Sequence, residues 1–236
     1  MKKIYFAGGL AFLAMGAFAQ TNIQLFYDLG QNREHFTTTI EMFKSDSWGN
    51  TFFFVDYDYS TKSKRDWNIN GPQSSYFEIS RSINLWQDSE LAPFSLQLEY
   101  NGGVRFNNPA WLAGVNYFLH SADFANTLTL ELLYKNMKNT NSVVPLQLTA
   151  VWGMNGIFGV EGLNFSGFAD FWWQDNVWAG LSTTKHVFVS EPQIWYNLGS
   201  LIGVPNLNAG AEIELGYNFV EEGFAANPCI GLKWNF

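Results

Sequence analysis

Leu207-Asn208-Ala209-Gly210-Ala211-Glu212-Ile213-Glu214-Leu215-Gly216-Tyr217 is the stretch that decides the fold class of this chain. Leu207, Ala209, Ala211, Ile213, Leu215 and Tyr217 take every second position, with Asn208, Glu212 and Glu214 between them. Side chains two residues apart share a face only in an extended strand. One face is therefore apolar and the other acidic. A tilted strand needs roughly 9–11 residues to cross a bilayer, and this stretch has the length.

The alternation recurs in both directions. Ile230, Leu232, Trp234 and Phe236 oppose Lys233 and Asn235. Upstream, Leu163, Phe165, Ala169, Phe171 and Trp173 oppose Asn164, Ser166, Asp170 and Gln174. Val144, Leu146, Leu148, Ala150 and Trp152 oppose Gln147 and Thr149, and Leu128, Leu130, Leu132 and Tyr134 oppose Thr129, Glu131 and Lys135. Phe94, Leu96, Leu98 and Tyr100 oppose Ser95, Gln97, Glu99 and Asn101. Phe77, Ile79, Ile83 and Leu85 oppose Tyr76, Glu78, Ser80, Ser82 and Asn84. Phe53, Val55, Tyr57 and Tyr59 oppose Phe52, Phe54, Asp56 and Asp58, and Phe36, Thr38, Ile40 and Met42 oppose Thr37, Thr39 and Glu41. Weaker strands fall at 23–28, 111–118 and 187–197, the last interrupted by Pro192.

Twelve strands result, and turn chemistry separates them: Asn70-Gly71-Pro72, Gly102-Gly103, Asn107-Asn108-Pro109, Asn155-Gly156 and Asn227-Pro228. Lipid cannot satisfy a backbone amide, so a sheet in a bilayer must close on itself. The expected fold is all-β, a transmembrane antiparallel β-barrel with its apolar face outward. Strands about 4.8 Å apart and tilted by about 40° give a backbone diameter of about 24 Å. Aromatics at strand ends, such as Tyr100, Tyr134, Trp152, Trp173, Tyr217 and Trp234, suit interfacial girdles.

Composition points the same way. Aromatic residues make up 18% of the 236-residue chain and charged residues only 14%, against about 25% charged in ordinary soluble domains. Beyond the first 19 residues no apolar run approaches the ~18 residues of a spanning helix. Those first residues read as a cleaved secretory leader: Lys2-Lys3, an apolar stretch over 4–18, and Ala17-Phe18-Ala19 before Gln20. Export to a bacterial outer membrane follows as an expectation, with 20–236 as one barrel domain. Cys229 is the only cysteine, so no intrachain disulfide is available. The acidic balance and the lack of a basic cluster argue against nucleic-acid binding.

Phe36-Thr37-Thr38-Thr39-Ile40-Glu41-Met42-Phe43-Lys44-Ser45-Asp46-Ser47-Trp48-Gly49-Asn50, followed by Thr51-Phe52-Phe53-Phe54-Val55-Asp56-Tyr57-Asp58, resembles the second and third strands of the Tsx-like nucleoside-specific channel-forming outer-membrane proteins. Tyr76-Phe77-Glu78-Ile79-Ser80, Gly167-Phe168-Ala169-Asp170-Phe171 and the closing Gly231-Leu232-Lys233-Trp234-Asn235-Phe236 are similar to that family too. The resemblance implies a twelve-stranded barrel with a narrow lumen that takes up nucleosides. The outward loops here are short, the longest expected around 60–73 and 175–186.

The inward parity carries Glu41, Asp56, Asp58, Glu78, Glu99, Glu131, Asp170, Glu191, Glu212 and Glu214, with Lys135 and Lys233 as the inward cations. Carboxylates there hydrate the interior in any barrel, but Glu41, Asp56, Asp58 and Glu78 crowd onto three adjacent strands. Phe43, Phe52 and Phe54 share that parity and offer faces on which a flat ring could stack. The candidate solute-binding lumen residues are therefore Glu41, Phe43, Phe54, Asp56, Asp58, Glu78, Glu99 and Asp170. His35, His120 and His186 fall near strand ends without the spacing of a nucleophile and its base. No grouping has metal-ligand spacing, so neither an enzyme nor a cofactor is expected. A non-conducting surface barrel is the first alternative to a channel, and a barrel enzyme using those histidines at the rim is the second. Arg81 has lipid-facing parity, which calls for a bulge or a place near an interface. The terminal aromatic Phe236 suits recognition by the outer-membrane assembly machinery, and the outward face suits outer-membrane lipid.

Overall fold

The computed structural model describes residues 20–30, 33–59, 72–105 and 108–236. The expected leader, 1–19, and nearly all of the 60–73 loop lie outside the described residues. The strands are β1 (Gln20–Asp28), β2 (Phe36–Asp46), β3 (Gly49–Tyr59), β4 (Pro72–Ile83), β5 (Phe94–Val104), β6 (Ala110–His120), β7 (Asn126–Met137), β8 (Leu146–Asn155), β9 (Leu163–Val177), β10 in two segments (Thr183–Ser190 and Gln193–Asn197), β11 (Leu207–Tyr217) and β12 (Phe224–Asn235).

The two segments of β10 are one strand of the wall. Ser190 faces Ala169 and Leu215, and Gln193 faces Ser166 and Glu212, so the register on both flanks is the same before and after the break. Pro192 brings no N–H to the ladder. Its carbonyl still accepts from the Ile213 amide at 3.1 Å, and the Glu191 amide donates to the Phe168 carbonyl at 3.1 Å. The expected twelve strands therefore stand. Each pairs antiparallel with its sequence neighbour, and β12 closes on β1 from Asn22↔Asn235 to Asp28↔Cys229. Closure removes both sheet edges, which hydrocarbon would leave unpaired.

Gln20 and Asn235 mark one end of the barrel, called here the terminal end, where the Phe236 amide donates to the Thr21 carbonyl at 3.0 Å. Outward positions between the ends are aliphatic and open, Leu98 and Leu132 among them. Aromatic pairs gather toward the ends. Tyr100 packs on Trp111 (4.8 Å between ring centres) and Tyr27 on Phe36 (5.0 Å) toward the far end, and Phe94 packs on Tyr117 (4.8 Å) near the terminal end. Such belts place amphipathic rings at the two membrane interfaces.

Gly102-Gly103 and Asn227-Pro228, read as turns between strands, lie inside β5 and β12, paired with Phe77 and Tyr76 and with Glu214 and Ile213, and three further details depart from the sequence reading. β4 stops at Ile83, leaving Leu85 in the turn, because the Asn84 side chain captures the backbone: Oδ1 accepts from the Trp86 amide at 2.9 Å and Nδ2 donates to the Ala92 carbonyl at 2.6 Å. β8 begins at Leu146, not Val144, since Pro145 has no N–H for the ladder. The 175–186 loop shrinks to 178–182, held by a Trp178 Nε1 bond to Thr184 Oγ1 at 3.0 Å. Arg81 lies at the terminal end with no bulge beside it. Its guanidinium grips both oxygens of Asp46, at 2.7 and 2.9 Å, and donates to Thr51 Oγ1 at 3.1 Å.

Candidate functional site

Alternation sends one face of every strand into the barrel, and register sets which of those side chains stand side by side. Glu41, Phe54, Glu78 and Asn101 form one row across β2 to β5. Thr39, Asp56 and Tyr76 form the next row toward the far end, and Thr37, Asp58 and Ser74 the one beyond. Phe43, Phe52, Ser80 and Glu99 lie on the terminal side. All eight candidate lumen residues, with Asp170 on β9, border one cavity of about 2460 Å³. Ser47, Asn84 and Phe124 line it from terminal-end turns, and Arg33 and Phe219 from far-end loops. It is several times the ~300–1,000 Å³ of a site closed around one small ligand.

The cavity is acidic by geometry as well as by count: among the described residues fourteen Asp or Glu side chains border it against four Lys or Arg. Local hydroxyls and amides brace many of the carboxylates. Thr39 donates to Asp56 at 2.5 Å, Thr37 and Ser74 to Asp58 at 2.7 and 2.9 Å, Asn22 to Glu41 at 2.9 Å, and Thr149 to Asp170 at 2.5 Å. The Tyr76 hydroxyl donates to Glu78. Phe54 lies between Phe52 (6.1 Å) and Tyr76 (5.9 Å), both rings tilted, so the acidic wall carries an aromatic ladder.

Two lysines enter this field from the wall, each seated on an indole. Lys135 Nζ lies 3.8 Å from the Trp172 ring centre and donates to Gln147 at 2.6 Å. Lys233 Nζ lies 4.2 Å over Trp195. Such contacts offset part of the cost of holding an ammonium inside a barrel. A third cation comes from the β1–β2 loop. Arg33 meets Asp28 and Glu214 at 2.6 Å each, tying β1 to β11 across the closure strand β12. At the same mouth His35 Nε2 is 3.5 Å from Asp58. That hydrogen bond holds the imidazole above its ordinary value. His120 instead stacks on Phe124, and His186 stacks between Phe171 and Tyr217 in the outer aromatic belt.

Sequence reasoning missed Arg33, Trp172 and Trp195. The two tryptophans share the inward parity of Asp170 and Glu191 on their own strands, and that parity was the available signal. Arg33 lies in a loop, where no periodicity applies. Also missed was apolar packing inside the barrel: Leu112, Leu133, Val187 and Val189 point inward and are buried. They pack in two buried clusters, one on β6–β7 with Ala110 and Met137 and one on β9–β10 with Trp172 and Phe168, while the cavity itself is bordered by residues of every strand.

A family model described as a domain of unknown function, DUF5020, matches residues 19–236. The chain belongs to the DUF5020 family. No curated protein matches its sequence. Among solved structures, a NanC porin superposes with a TM-score of 0.56 at 9% identity, covering 92% of this chain and 100% of that one. Pseudomonas aeruginosa OccK2 (OpdF), in complex with glucuronate, gives 0.41 at 10% identity with 92% and 96% covered. A BenF-like porin from Pseudomonas fluorescens Pf-5 gives 0.40 at 9% identity with 92% and 98% covered. At 9% identity the NanC match carries the barrel fold alone. The nucleoside class implied by the Tsx-like resemblance gains nothing from these neighbours.

Proposed function

We propose that this DUF5020 protein is an outer-membrane channel for passive entry of small polar solutes, with nucleosides as the candidate organic solute. One observation carries the reading: a single large cavity bordered by turns at both ends, its wall between β2 and β5 lined with carboxylates and aromatic rings. Carboxylates in a narrow passage with low-dielectric walls focus the field and concentrate cations. The ladder of Phe52, Phe54 and Tyr76 offers faces to a base while Asp56 and Glu78 accept from sugar hydroxyls. Carboxylates would hydrate a sealed surface barrel too, but such a barrel has no need of the aromatic ladder between them.

Planar-bilayer reversal potentials and liposome swelling test the proposal. Wild-type conductance should favour cations. Asp56→Asn with Glu78→Gln should weaken that preference and slow nucleoside entry. Phe54→Ala should slow ring-bearing solutes more than small ions, stacking being worth roughly 1–3 kcal/mol per base in nucleic-acid sites. A silent or anion-selective wild type refutes the channel, whereas unchanged nucleoside flux in the variants refutes only the nucleoside site.

A further inference from the structure

Several lumen groups lack a hydrogen-bond partner among the described residues, Gln24 Oε1, Trp152 Nε1 and Asn101 Oδ1 among them, and Asn101 stands two residues from Glu99. Both are buried in the wall of β5, at 9% and 6% exposure, and both border the cavity. Asn101 Oδ1 has no hydrogen-bond partner among the described residues. Asn101 stands directly across from Glu78, where opposite Cβ atoms are about 4.5–5.5 Å apart. Glu99 is two residues along the same face. Unlike Asp56, Asp58 and Asp170, its carboxylate receives no bond from a neighbouring hydroxyl. A buried amide oxygen without a donor is costly, as is a carboxylate without one. Glu78, Glu99 and Asn101 thus offer three acceptors at neighbouring positions on the inward face of β4 and β5, and a donor that carries positive charge would complete them.

The nearest wall cation shows what such a donor looks like. Lys135 shares a row with Glu99, with Leu112 of β6 between them, and borders the same cavity as Asp170, Glu78 and Glu99. It is nevertheless held back on Trp172 and Gln147, at 3.8 and 2.6 Å, and does not bond to any of the three. A tethered alkylammonium is thus stable beside this face without occupying it.

We propose that Glu78, Glu99 and Asn101 form a station for the ammonium group of small primary amines crossing the lumen, with Lys135 as the tethered competitor that keeps the station from holding them too long. This deepens the channel reading and rests on it. A primary ammonium brings three N–H donors and a charge to one amide oxygen and two carboxylates. Conduction also needs a site strong enough to be entered and weak enough to be left. Lys135 supplies the second condition, because its fixed charge opposes any cation that settles at Glu78 and Glu99.

The test is block of potassium current through the protein in planar bilayers. Ethylammonium is the probe, and tetramethylammonium, equal in charge but without N–H donors, is its control. Ethylammonium should half-block at a concentration about tenfold lower than the control, the worth of one hydrogen bond to a charged group. Glu99→Gln and Asn101→Ala should each raise the half-blocking concentration about tenfold, by the same reckoning. Asn101→Ala changes no charge, so a general field effect leaves it unmoved. Lys135→Gln and Asn101→Asp should both lower the half-blocking concentration, which keeps the test valid if the alanine variant does not insert. Equal block by the two cations, or variants that shift it less than about twofold, overturns the station while leaving the channel in place. A wild type that carries no potassium current overturns the channel reading and the station with it.

Discussion

Arg33 and Arg81 each grip a carboxylate at under 3 Å, yet removing them should have very different consequences. The Arg33 side chain is 30% exposed and its partners Asp28 and Glu214 only 3% and 14%, whereas Arg81 and Asp46 are 29% and 42% exposed. Removing one member of a buried pair costs about 3–5 kcal/mol, because a desolvated charge is left uncompensated. Partial exposure of Arg33 puts Arg33→Met at the lower end, about 3 kcal/mol. The Arg81–Asp46 pair stays in contact with interfacial water, so Arg81→Met should cost about 1 kcal/mol or less. Urea unfolding in detergent micelles, followed by tryptophan emission, measures both. The double variant Arg33→Met with Glu214→Gln should recover part of the loss, since it removes one of the two stranded carboxylates and leaves Asp28. Equal losses for the two arginines, or a double variant no better than Arg33→Met alone, would refute the argument from burial.

Three further outcomes are expected. The Asp58 hydrogen bond holds His35 above its ordinary value of 6.5, so its stabilisation is complete below about pH 6.5 and fades as pH rises through the raised value. Urea midpoints of wild type and His35→Gln should differ at pH 5.5 and converge at high pH, and parallel pH profiles would remove His35 from the account. A Cβ on Gly210 would lie 2.2 Å from the Ile194 carbonyl and 2.5 Å from the Trp195 ring; Gly210→Ala should therefore cost about 1–3 kcal/mol and unseat Lys233, while Gly216→Ala, with 3.3 Å to the Phe219 Cβ, is the tolerated control in the same unfolding assay. Deleting the exposed Phe236 should lower membrane insertion far more than Asn235→Ser, and equal yields of heat-modifiable barrel would count against recognition of the terminal aromatic.

Strand number and facing were legible because lipid and lumen demand opposite chemistry on alternate residues. β11 shows it most plainly, with Ile213 and Leu215 outward and Glu212 and Glu214 inward. Even β10, broken by Pro192, kept its parity, since the proline costs a hydrogen bond but adds no residue. Arg81 could be placed only by its partner: parity put it on the lipid face, and Asp46, far away in sequence, put it at the interface. Arg33 was illegible for a related reason. Its partners Asp28 and Glu214 meet only once β12 closes on β1, and closure is a long-range fact that no local pattern carries.

The interior was read too simply because alternation treats an inward apolar residue as an exception. Leu112 and Leu133 have no exposure at all and Val187 only 1%, and Leu112 is level with Glu99 across the β5–β6 pair. A barrel of about 24 Å backbone diameter holds more lumen than its side chains fill, so packing part of it narrows the open path. Leu112, Leu133 and Val187 take up part of that space, and the passage that remains is bordered by Asp56, Glu78 and Glu99 on β3–β5 and by Glu131, Lys135 and Asp170 on β7–β9. The field then acts at contact distance and not across a wide water-filled bore, where about 10 Å at 0.1 M salt would screen it. Replacing Leu133 with alanine should therefore widen the passage, raise conductance and lower cation preference together. Conductance that rises with selectivity unchanged would mean that the carboxylates act without help from the apolar wall.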